Sequence, residues 1–102
     1  MKKLSIVQKK QQQYVMSAVT ALEQQALTEL AGVVQCWFSF DYEAFPISLL
    51  ARVQFAEQAA LDAAQPQLAL WQKRFSGLML KRGVILKDMR KHLVFTTLSP
   101  DD

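Results

Sequence analysis

Between residues 33 and 55 the apolar positions change parity. Val34, Cys36, Phe38, Phe40 and Tyr42 hold even numbers, whereas Phe45, Ile47, Leu49, Ala51, Val53 and Phe55 hold odd ones. Side chains alternate across a strand, so each half reads as a strand with one apolar face. A hairpin closed by a four-residue loop over 42–45 pairs Phe40 with Ile47 and Phe38 with Leu49, which brings the two apolar faces together. A slip by one residue would turn one strand over and separate them. The opposite face then carries Gln35, Trp37, Ser39, Ser48, Leu50, Arg52 and Gln54, with Trp37 facing Leu50.

The flanking segments follow the helical period. Val15, Ala18, Val19, Leu22, Ala26 and Leu30 recur at spacings of three and four, which predicts a helix over 4–30 that stops at Gly32. A second helical region is expected over 56–82. Pro66 interrupts it, because a proline inside a helix costs about 3 kcal/mol, and Gly83 ends it. After the proline, Leu68, Trp71, Phe75, Leu78 and Met79 form the apolar stripe.

Two readings compete for residues 84–99. In the first, strands over 84–87 and 92–98 flank a turn over 88–91, and Leu86 faces Leu93. In the second, a short helix over 85–93 carries Ile85, Met89 and Leu93 on one side. The hairpin reading is adopted, since Val94, Phe95, Thr96 and Thr97 favour a strand. The expected fold is therefore α+β in the order αββαββ: a four-stranded antiparallel sheet with two helices on one face. The 102 residues suit one domain, with 1–10 and 99–102 fraying.

Composition adds two points. An apolar fraction of 51% and a mean hydropathy of +0.05 are high for so short a chain. So small a domain has little interior, so part of this material must face solvent or another molecule. No uncharged run approaches the roughly 20 residues of a membrane span, and Lys9, Lys10 and Gln11 to Gln13 cut short any signal-peptide core. A single cysteine permits no internal disulfide. A cytoplasmic protein is expected.

Charge is segregated along the chain. Residues 1–10 carry +4, residues 11–72 carry −5, residues 73–92 carry +6, and Asp101 and Asp102 follow, for a net +3. The basic segment holds Lys73, Arg74, Lys81, Arg82, Lys87, Arg90 and Lys91. Such clustering supports sequence-blind phosphate contacts. It also stabilises helix C-termini and aids solubility.

Conventional catalytic chemistry is not indicated. His92 is the only histidine, and no nucleophile or second ligand lies at motif spacing from it. It reads as a partly exposed turn or strand residue. Cys36 falls on the apolar strand face, where a thiol is an inert small hydrophobe. Asp41 and Glu43 sit two apart on opposite faces, and the three glycines form no phosphate cradle.

The functional expectation is a non-catalytic binding or regulatory protein, acting through protein contacts as a homodimer and needing no cofactor or metal. Trp37, Leu50 and Arg52 are the candidate partner-binding residues, and the acidic middle of one copy can meet the basic segment of another. The alternative is a nucleic-acid-binding factor that sets Lys81, Arg82, Lys87, Arg90 and Lys91 against phosphates.

Overall fold

The computed structural model describes residues 4–102. Lys2 and Lys3, in the lysine-rich opening expected to fray, lie outside the described residues. Helix α1 spans Ile6–Glu29 and starts at a capping box. The Gln8 N–H donates to Ser5 Oγ at 3.1 Å, and the Ser5 N–H donates to Gln8 Oε1 at 2.9 Å. These reciprocal bonds satisfy groups that helix geometry leaves open. The stripe from Val15 to Ala26 is buried, as its spacing predicts. Gly32 follows at φ 83°, and a Cβ built there would lie 2.5 Å from the Ala60 Cβ. Both the backbone conformation and this close approach call for glycine.

Strand β1 (Val33–Ser39) pairs antiparallel with β2 (Leu50–Phe55). The apolar faces coincide, but the register is two residues away from the expected one. Trp37 stands opposite Arg52, Phe38 opposite Ala51, and Ser39 opposite Leu50. The reason lies in the connection over 40–49, which is not a tight tip. Phe40 meets Tyr42 and Phe45 edge-on, with ring centroids 4.8 and 5.1 Å apart. The Asp41 N–H donates to Ser48 Oγ at 2.8 Å, and the Ser48 hydroxyl donates back to the Asp41 carbonyl. Pro46, preceded by a cis peptide bond, has no N–H to offer a ladder. With its polar groups met locally and its rings packed together, this loop holds Phe45 and Ile47 out of the strand. At the other end a bulge near Val34 changes parity. Phe55 and Val33 are paired there, and Val34 is left 48% exposed although its number places it on the apolar face.

The second helical region comprises α2 (Gln58–Ala64), a single 3₁₀ turn containing Pro66, and α3 (Leu68–Leu80). Trp71, Phe75 and Met79 are fully buried. The helix closes through the Val84 N–H, which donates to the Met79 carbonyl at 3.0 Å, with Gly83 at φ 82°.

The expected second hairpin is not formed. Residues 84–87 are not a strand, and the competing helix over 85–93 shrinks to a 3₁₀ turn, Met89–Lys91. Strand β3 (Leu93–Thr96) instead lies parallel to β2, with Ala51 opposite Leu93 and Val53 opposite Phe95. The sheet is therefore three-stranded and mixed, in the order β1-β2-β3, not four-stranded and antiparallel. The cause is the route of the chain. A helical crossover brings it back to run in the same direction as β2, as parallel pairing requires. Helices α1 and α3 pack against each other and against the sheet, so the α+β class holds. No helix among the described residues is long and apolar enough to cross a membrane.

Candidate functional site

The sheet face turned away from the helices is the candidate site. Alternation in β1, β2 and β3 puts Gln35, Trp37, Leu50, Arg52, Gln54, Val94 and Thr96 there. The two-residue shift in register sets its centre. Because Trp37 stands opposite Arg52, the guanidinium stacks on the indole, 4.1 Å from the ring centroid. Arg52 Nη1 also donates to Ser39 Oγ at 3.0 Å and to the Leu50 carbonyl at 3.2 Å. Burial draws the Arg52 guanidinium below its ordinary pKa, yet it stays charged at every physiological pH. Leu50 is a diagonal neighbour of Trp37, not its partner across the ladder. Beside them, Gln35 Nε2 donates to Gln54 Oε1 at 2.8 Å. All three residues expected on this face, Trp37, Leu50 and Arg52, are brought together and are half-buried.

One contributor was not foreseen. After β3 the chain folds toward Trp37, whose indole N–H donates to the Leu98 carbonyl at 3.3 Å. The tail then closes on itself, the Ser99 N–H donating to Asp102 Oδ2 at 2.7 Å. Asp101 and Asp102, in this tail, are exposed. The proline-acid ending reads as a frayed terminus, and nothing in its own composition signals a contact sixty residues back.

On each outer edge of the sheet a helix side chain meets one backbone group. On β1 the Cys36 N–H donates to Glu23 Oε2 of α1 at 2.8 Å. On β3 the Leu93 carbonyl accepts from Gln72 Nε2 of α3 at 3.1 Å, and the same amide reaches the Arg90 carbonyl at 3.4 Å. Edge groups met in this way are poor templates for another strand. Cys36 is buried, as its place on the apolar face implies. Burial, with the Glu23 charge adding to it, pushes its thiol pKa up to about 12. The thiolate form that a nucleophile requires is thus suppressed.

The basic segment does not converge on one surface. Arg74 pairs with Glu29 at 2.6 Å and lies over the Trp71 ring, tying α3 to α1. The acidic middle and the basic segment thus meet within one chain at this point. Arg82 donates to Ser17 Oγ and to the Leu78 carbonyl. Arg90 pairs with Asp88 at 3.2 Å. Lys73 and Lys81 stand exposed on or just beyond α3, whereas Lys87 and Lys91 border a separate groove near Ile85. His92 departs from expectation. It is only 5% exposed, and its Nδ1 lies 2.8 Å from the Leu49 carbonyl. Its backbone explains the burial: the His92 carbonyl accepts the Ala51 N–H, which draws the residue under the start of β2. No cluster of three His, Cys, Asp or Glu side chains suited to a metal ion occurs among the described residues. No protein-family model, curated protein or solved structure matches the chain.

Proposed function

We propose that this chain is a non-catalytic binding protein that works as a homodimer, joined through the half-buried sheet face turned away from the helices. The observation that carries the reading is the Trp37–Arg52 stack at the centre of that face, beside Leu50. Tryptophan and arginine are the residue types most enriched at interface centres. With Glu23 and Gln72 on the two edges, face-to-face contact is favoured over strand addition. A second copy suits the charge of the face. Each copy offers the Arg52 cation and, in its tail, the exposed carboxylates of Asp101 and Asp102, so a two-fold axis can set one against the other.

Size sets the expected strength. Three strands of this length present roughly 300 Å² of face, by strand rise and spacing. Stable interfaces bury about 800 Å² per partner. The dimer is therefore weak and reversible, with a Kd in the micromolar range. Sedimentation equilibrium over a concentration series tests it. The wild type should move from monomer to twice the monomer mass, and Trp37→Ala and Leu50→Asp should stay monomeric. A wild type that remains monomeric at high micromolar concentration would sink the reading.

A further inference from the structure

A groove of about 410 Å³ lies beside the sheet, lined by Pro46, Ile47, Ile85, Lys87, Asp88, Lys91 and His92. Its size is that of a small-molecule site. Three features of its lining point to a ligand. The first is apolar wall that the fold leaves open: Ile47 is 84% exposed and Ile85 68%. The second is charge. Asp88 is met by the Arg90 guanidinium, while Lys87 and Lys91 form no ion pair among the described residues. The third is His92, nine-tenths buried in the lining. Its Nδ1 faces the Leu49 carbonyl. A carbonyl can only accept, so Nδ1 carries the proton, and Nε2 of the neutral ring is left as an acceptor. Nε2 has no hydrogen-bond partner among the described residues.

We propose that this groove binds a small apolar carboxylic acid that carries one hydrogen-bond donor, such as a hydroxy fatty acid. Its chain lies along Ile47, Ile85 and Pro46, its carboxylate meets Lys87 and Lys91, and its hydroxyl donates to His92 Nε2. The site is separate from the Trp37 face, so its test does not depend on the dimer. In the free groove Nε2 is open to water. An analogue without the hydroxyl would shield it from water without pairing it and should bind more weakly.

The experiment is an amide-resonance titration of the full chain with β-hydroxyoctanoate, octanoate and octylamine. β-Hydroxyoctanoate should shift the amides of Ile47, Ile85, Lys87 and His92, and octanoate should bind at least tenfold more weakly. Octylamine should not bind. The double variant Lys87→Gln/Lys91→Gln alters only exposed side chains, so its spectrum elsewhere should match the wild type while affinity for β-hydroxyoctanoate falls at least tenfold. The imidazole nitrogen shifts of the free protein should report Nδ1 as the protonated nitrogen. The absence of β-hydroxyoctanoate binding, equal binding of octanoate or octylamine, or a protonated Nε2 in a neutral ring would each overturn the proposal.

Discussion

The carboxylate of Glu23, in the C-terminal third of α1, accepts the backbone N–H of Cys36 on the outer edge of β1 at 2.8 Å. One side chain thereby docks the longest helix on the sheet and occupies an edge donor that another strand would otherwise use. The bond is charge-assisted and partly buried, so it outweighs a neutral surface hydrogen bond. Replacing Glu23 with Ala should lower stability by about 1–2 kcal/mol, since the amide loses its partner. Urea denaturation should show this as a lower midpoint. The variant should also self-associate through its freed edge, in a way that Trp37→Ala does not suppress.

Burial, with the nearby Glu23 charge adding to it, governs how Cys36 titrates. Its folded pKa, raised to about 12, lies above the ordinary thiol value of about 8.5 that the unfolded chain regains. Below that unfolded value both states hold the proton, and the contribution to stability is fully present. As pH rises toward 12 only the unfolded chain sheds its proton, and that contribution is lost. Stability should therefore decline on the alkaline side, and the decline should be shallower in Cys36→Ala. A thiol reagent at pH 8 should modify the native protein only at the rate of unfolding.

On the opposite edge, Gln72 should matter as much as an apolar core residue. It is buried on α3 and bonds the carbonyls of Leu93 and Arg90. Gln72→Leu keeps the bulk but strands two acceptors, a change expected to cost about 1–3 kcal/mol. Hydrogen exchange should show the loss first in β3 and the preceding 3₁₀ turn. Unchanged protection there would argue against this role.

Gly32 offers a test of the junction between α1 and β1. Its φ of 83° and the 2.5 Å approach of the Ala60 Cβ both oppose a side chain. Gly32→Ala should destabilise by more than the roughly 1 kcal/mol of left-handed strain alone, because α2 must also shift. Gly83 has a similar φ, but open space surrounds the Cβ position. Gly83→Ala should therefore show only the backbone part. Equal melting-temperature losses in the two variants would contradict this account.

The parts of the fold legible along the chain are those with a local cause. The α1 stripe from Val15 to Leu30 and the α3 stripe from Trp71 to Met79 follow from helical period, and the break at Pro66 follows from its missing N–H. Alternation in residues 33–55 places Trp37, Leu50 and Arg52 on the face away from the helices, and that placement survives a register shift of two because side-chain parity repeats every two residues. The tertiary structure alone decides which residue stands opposite Trp37. The packing of Phe40, Tyr42 and Phe45 ends the loop at Leu49, and so gives Trp37 the guanidinium of Arg52 instead of Leu50. The direction of β3 is likewise set at a distance. Leu93 to Thr96 favour a strand in either orientation, and only the return of the chain through α2 and α3 makes the pairing with β2 parallel. The burial of His92 and the contact of Leu98 with Trp37 depend on that same return, since each joins residues more than forty positions apart. Periodicity reports which face of an element is apolar. Which elements meet, and in what register, depends on contacts between distant parts of the chain.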